Sequence, residues 1–162
     1  MPWGTGTNPA NGLLSRIGNG DGKAAIATVT ATAQRYGFTS SEELRTLTGM
    51  ASGNAVENWT STRDCGSFLS QVYAGTLVSK NASERMMQLL LGQTRRTKIP
   101  AGVPSGVKVA NKTGELAAVQ NDVAIVFGTH PYVLAVMSSD ISSAVAPSQI
   151  TELSRAVWDA AQ

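Results

Sequence analysis

The sequence predicts an α+β fold: a helical cluster joined to a small antiparallel sheet of about three strands, with a C-terminal helix backing the sheet. Three observations carry this expectation. Apolar residues at helical spacing dominate from about residue 8 to residue 92. Three short strand-like runs, the last two rich in Val, Ile, Phe and Tyr, follow within residues 105–138, and one more helical stripe closes the chain. At 162 residues and 42% hydrophobic, the chain is long enough for one compact domain, residues 1–162, and too short for two.

Asn8-Pro9 is a helix start, a capping side chain followed by proline at the first helical position. Leu13, Leu14 and Ile17 then share a face that Gly18 can close. Asp21 is placed to cap a second helix striped by Ile26, Val29, Ala33 and Tyr36 and ended by Gly37. Ser40-Ser41-Glu42-Glu43 has capping-box spacing and predicts a short helix carrying Leu44 and Leu47. Residues 48–59, rich in Gly, Ser and Asn, read as a loop. Thr60 is expected to cap the most regular helix, whose face is Cys65, Phe68, Leu69, Val72 and Tyr73 and which Gly75 ends. Ser79 starts another helix through Met86, Leu89 and Leu90 to Gly92, with its methionines as core candidates.

A basic, proline-marked connection leads to strands expected at Val107 to Thr113, Asp122 to Phe127 and Tyr132 to Ser138. Their short connections suit antiparallel neighbours. A last helix near Ser148 to Ala161 turns Ile150, Leu153, Val157 and Trp158 to one side, a stripe that should cover the sheet.

Composition excludes several function classes. The formal charge is +2, and the one basic cluster, Arg95, Arg96 and Lys98, reads as a solvated loop, because no aromatic platform accompanies it; nucleic acid is not an expected partner. One cysteine, Cys65, precludes an internal disulfide, and on the apolar face of a helix it reads as a packed thiol. With His130 the only histidine, a zinc site is not credible, and neither a metal nor a cofactor is called for. No run approaches a membrane span, and Met1-Pro2-Trp3-Gly4 has neither the basic start nor the apolar stretch of a signal peptide.

The informative stretch is Ile99-Pro-Ala-Gly-Val-Pro-Ser-Gly-Val-Lys-Val-Ala-Asn-Lys-Thr-Gly-Glu-Leu116. Its Lys112-Thr113-Gly114 ends a predicted strand, follows a Pro/Gly loop and precedes two more strands. With Asn58 to Asp64, Gly75 to Ala82, Met86 to Leu90, Val119 to Val126, and Thr5-Gly6-Thr7-Asn8 near Leu13-Leu14, it resembles the C-terminal part of class A β-lactamases and related penicillin-binding proteins almost end to end. Without those flanking matches, Lys112 would read as the end of an exposed strand.

The resemblance implies a truncated β-lactamase-like fold and a site. Lys112 at a strand edge would be a fixed positive charge that orients a substrate carboxylate. Thr113 would add a hydroxyl hydrogen bond, Gly114 would let the ligand approach the backbone, and the backbone N–H of Glu115 would contribute to an oxyanion hole.

The family's nucleophile motif, S-x-x-K at the start of a helix, has one formal match, Ser105-Gly106-Val107-Lys108, in a turn where the two side chains would share no helical face. Pro2, Trp3 and Gly4 fall where the family has Ser, Asp and Asn. No convincing loop glutamate is present; Glu42, Glu43 and Glu57 are the nearest carboxylates.

The expectation is therefore part of a serine hydrolase acting on β-lactams or cell-wall peptides, inactive as an isolated chain, from an exported parent of the periplasm or cell surface. The alternative is a non-catalytic binding or assembly module. The family's sheet continues past the Tyr132 to Ser138 strand with two N-terminal strands. That edge would otherwise lie open, which implies a homo-oligomer or an N-terminal half supplied in trans.

Overall fold

The computed structural model describes residues 9–46 and 57–162. The chain divides into two compact units, Met1–Asp64 and Cys65–Gln162.

In the first unit, α1 (Pro9–Ile17) packs against α2 (Gly22–Arg35). Asp21 caps α2 as its sequence position predicts, accepting from the Lys23 and Ala24 N–H groups at 2.8 and 3.2 Å. Gly18 is required here, because a Cβ would lie 2.0 Å from the Asp21 carbonyl and 2.9 Å from Ala25. The predicted stripe on α1 is narrower than expected: Leu14 is buried, while Leu13 is 61% exposed and Ile17 lies outward beside it. Against α2, its main neighbour among the described residues, this nine-residue helix buries only part of its apolar face.

The short helix predicted from Ser40 does not form. Glu42 instead bridges Trp59 through two backbone hydrogen bonds, of 2.9 and 3.0 Å, so Trp59 is not simple loop either. The groups that a capping box would satisfy locally have long-range partners. Glu43 N–H donates to the Thr30 hydroxyl at 3.0 Å, and Asn58 Oδ1 accepts from Leu44 and Arg45 N–H at 2.8 and 2.9 Å. The buried Asp64 carboxylate accepts from Ser40 N–H and the Ser41 hydroxyl, both at 2.8 Å. Leu47 and residues 48–56 of the expected loop lie outside the described residues.

Helix α3 (Thr62–Ala74) is capped one residue later than predicted. Ser61 Oγ accepts from Asp64 N–H at 3.1 Å, while Thr60 shares a hydroxyl contact with Ser41. In the second unit, Ser79 caps α4 (Lys80–Leu91) through Ala82 N–H at 3.1 Å. The sheet is β1 (Lys108–Leu116), β2 (Val119–Phe127) and β3 (Tyr132–Val136), antiparallel in the order β1-β2-β3. β1 and β2 extend past their predicted limits because residues 117 and 118 alone turn the chain, pairing Leu116 with Val119. Lys112-Thr113-Gly114 thus lies inside β1 rather than at its end. Helix α5 (Ala146–Ala161) begins two residues before the expected start.

Both faces of the sheet are covered. One carries Ile99, Val109, Ala124, Val126 and Ile150, with Tyr132, Leu134 and Trp158 against them. The other carries Leu69, Ala110 and Ile125, with Phe68, Met87 and Leu90. Of the residues assigned to inward stripes, Tyr73, Leu89 and Leu153 are exposed, Leu89 at 78%. Small buried residues take the closest positions instead. Ser154 on α5 donates to the Ile99 carbonyl at 2.8 Å, and Ser83 on α4 to the Leu77 carbonyl at 2.9 Å.

Candidate functional site: the outer edge of β1

β1 is a terminal strand of the sheet, and among the described residues no strand lies along its other side. The Val109 carbonyl accepts from the Arg96 guanidinium at 2.9 Å, and the Thr113 carbonyl accepts from the Lys112 ammonium. These odd-numbered residues therefore direct their backbone groups away from β2. By the alternation of an antiparallel ladder, the N–H of Glu115, two residues on, faces the same edge.

Lys112 is exposed and, among the described residues, makes no ion pair. The Thr113 side chain is largely buried, and its hydroxyl has no side-chain hydrogen bond among those described. At Gly114 a Cβ would meet only Asn121, at 3.6 and 3.8 Å, so packing within the chain does not demand glycine there. Glu115 differs in kind. Its carboxylate accepts from Lys98 Nζ at 3.1 Å and from Arg95 Nη1 at 2.8 Å. The Lys98 hydrogen bond is the largest influence on its pKa; burial, next in size, raises it, but the charges of Lys98, Arg95 and Lys112 add to the hydrogen bond and hold it below the usual range.

Behind this edge lies a buried polar network that the sequence reading missed. Lys98 was expected in a solvated loop, yet it is 1% exposed, its ammonium donating to Glu115 and to the Asn121 carbonyl at 3.2 Å. Asp122, fully buried and opposite Thr113 in the register, accepts from Asn111 Nδ2 and from Ile99 N–H, each at 3.0 Å. Burial pushes its pKa up; the hydrogen bonds from Asn111 and Ile99 and the charge of Lys98 oppose that without cancelling it. Asn111 also donates to the Arg95 carbonyl at 3.3 Å. The network straps residues 95–99 onto β1 and β2. Its available signal was polar residues at inward positions, Asn111 among Val109-Ala110 and Asp122 before Val123-Ala124-Ile125.

Ser105 sits in a turn before β1 and Lys108 is the first strand residue, with Gly106 between them at φ +90°, so the formal S-x-x-K match has no helical geometry. Pro2, Trp3 and Gly4 lie outside the described residues. Glu42, Glu43 and Glu57 all lie in the first unit and in no helix, so the first-turn helical role expected for Glu42 and Glu43 does not hold. Burial raises the pKa of Glu43 while Arg45 opposes it. Glu57 pairs with Arg45. Cys65 is half-buried, and the backbone of His130 is held by the Gln162 side chain at 3.0 and 3.3 Å. Among the described residues no group of three or more His, Cys, Asp or Glu could hold a metal ion, and no helix is long and apolar enough to cross a membrane.

A small antiparallel sheet with helices on both faces is the fold of a β-lactamase-like protein. The family model of the β-lactamase enzyme family matches residues 7–161, and the chain belongs to that family. Among solved structures it is similar to a β-lactamase from Sphaerobacter thermophilus, at 23% identity and TM-score 0.82, covering 94% of this chain and 57% of that one. It is similar to PBP-A at 25% identity and TM-score 0.74, covering 83% and 51%. A β-lactamase from Chitinophaga pinensis aligns at 23% identity and TM-score 0.76, covering 99% and 68%. The chain thus spans 57% and 51% of the length of the first two. A search of curated protein sequences gives no match.

Proposed function

We propose that this chain is the C-terminal part of a serine hydrolase acting on β-lactams or cell-wall peptides, and that it supplies the carboxylate-binding side of the cleft. The observation that carries the reading is Lys112, exposed and without an ion pair among the described residues, on an unpaired strand edge of a chain from this family. In this reading residues 1–162 are one partial domain. Lys112 orients the carboxylate, the Thr113 hydroxyl binds it, Gly114 leaves the approach clear, and the Glu115 N–H stabilises charge on the carbonyl oxygen. The parent is exported to the periplasm or cell surface.

The isolated chain is hydrolytically inactive in this reading, because its one S-x-x-K match lies in a turn and its serine has no lysine one helical turn away. Incubation with a fluorescent penicillin followed by intact mass spectrometry is expected to give no covalent adduct. A stoichiometric adduct would overturn the inactivity and point to a nucleophile elsewhere.

The second reading, a non-catalytic binding or assembly module, is favoured by β3. This is also an edge strand, and Tyr-Val-Leu-Ala-Val carries no charge, proline or bulge to block pairing. Its partner is a second copy or an N-terminal half in trans. Sedimentation at rising concentration is expected to show self-association of the isolated chain, which a charged residue in place of Val133 should suppress. A dispersed monomer at high concentration would count against an open edge.

A further inference from the structure

The two edge strands of the sheet differ in how their outer backbone is covered. On β1, Arg96 and Lys112 donate to the outward carbonyls of Val109 and Thr113. On β3, among the described residues, no hydrogen bond apart from the ladder with β2 reaches the backbone of Tyr132–Val136.

Beside that bare edge lies a cavity of about 380 Å³. Ser70 and Tyr73 of α3 line it from one side and Ile125 and Val133 of the sheet from the other, with Pro131 and Tyr132 next to them. It is lined by no charged side chain and by no residue of β1, so it lies at the β3 side of the sheet. Farther in, Leu69, Ala110 and Ile125 close the space between α3 and the sheet. Ser70, Tyr73 and Pro131 are exposed, so the cavity opens to solvent.

Strand alternation fixes what can enter it. Ile125 and Val133 are register partners and share the α3 face of the sheet. A residue of an added strand standing opposite Val133 points to that same face, and so into the cavity. The space suits an aromatic or large aliphatic side chain. A second copy of β3 does not supply one. In a continuous sheet formed by two antiparallel copies, only Val133 or Ala135 of the second copy could stand there, because Tyr132, Leu134 and Val136 pack on the α5 face.

We propose that the cavity is a socket for one large apolar side chain on a strand that a different chain adds to β3. The occupant is an extended apolar segment with its largest residue opposite Val133. Ladder hydrogen bonds hold the segment to the edge, and the socket selects which segment stays. The inference rests on the reading of β3 as an open edge and adds to it the chemistry of the partner.

The test uses the full chain and two end-blocked peptides, Lys-Thr-Val-Phe-Val-Thr-Lys and the same peptide with Ala in place of Phe. NMR follows the amides of Tyr132–Val136 and the Tyr73 ring. Wild type is expected to bind the Phe peptide about tenfold more tightly than the Ala peptide. Ser70→Phe, at an exposed helix position, fills the cavity from α3 and is expected to bring the two affinities level. In sedimentation, the Phe peptide is expected to convert the self-associated chain into a one-to-one complex.

Equal binding of the two peptides by wild type would leave the edge open and overturn the socket. A Phe preference that Ser70→Phe leaves intact would put the contact elsewhere and overturn it too. Self-association that the Phe peptide cannot displace would make a second copy the occupant. Binding of neither peptide to a chain that stays monomeric would remove the open-edge reading and the inference together.

Discussion

Asp122→Ala is expected to lower unfolding stability by about 3 kcal/mol, read from urea denaturation at neutral pH. The carboxyl is completely buried and takes two donors, Asn111 Nδ2 on β1 and the Ile99 N–H at the start of the 3-10 turn Ile99–Gly102. Truncation leaves the Ile99 N–H without its carboxylate and Asn111 Nδ2 with the Arg95 carbonyl alone, in a fully buried site. The Ile99 amide matters most, because it joins the strap over residues 95–99 to the sheet. The pH dependence has a definite sign. Burial raises the folded pKa of Asp122 above its ordinary value of 3.8, so between 3.8 and the raised value the folded chain binds more protons than the unfolded one. The stability contributed by this group is then fully present below 3.8 and falls as pH rises through the folded pKa. Asp122→Asn, which cannot titrate, should remove that fall. Glu115 acts oppositely: its lowered pKa gives stability present above 4.5 and lost on acidification. A wild-type profile with no descending component that Asp122→Asn removes would contradict the assignment.

Gly102→Ala is expected to cost about 3 kcal/mol, at the upper end of overpacking substitutions, seen as a depressed thermal midpoint. A Cβ there would lie 2.4 Å from the Thr151 carbonyl, 2.5 Å from Ser154 Cβ and 2.8 Å from the Arg155 backbone nitrogen. Two of the three are helix backbone and cannot swing aside. Relief requires α5 to lift from the 3-10 turn, which would also lengthen the Ser154 hydrogen bond to Ile99 and the Thr151 contacts to residues 97 and 98. A loss of less than about 0.5 kcal/mol would mean that α5 does not seat this closely.

Much of the architecture was legible because it follows from local chemistry. Asp21 caps α2 and Ser79 caps α4 through side chains that reach amides two or three residues on. The apolar runs of β2 and β3 have no other place than a sheet covered on both faces. The Ser40 to Glu43 helix failed for the converse reason. Thr30, Asn58, Trp59 and Asp64 outbid the local capping pattern, and none of them is visible from within that tetrapeptide.

The candidate site divides along the same line. The sequence by itself put Lys112 and Thr113 at the end of a strand and carried the likeness to the family, because a short motif and its flanking runs are properties of neighbouring residues; the structure carried that strand on through Gly114 and Glu115. Only the tertiary structure decided that Lys98 leaves the basic cluster to be buried against Glu115, and that Asp122, Asn111 and Ile99 share one network. Those partners are 11 to 23 residues apart, and their pairing depends on which buried donors are left over once the sheet and α5 have packed.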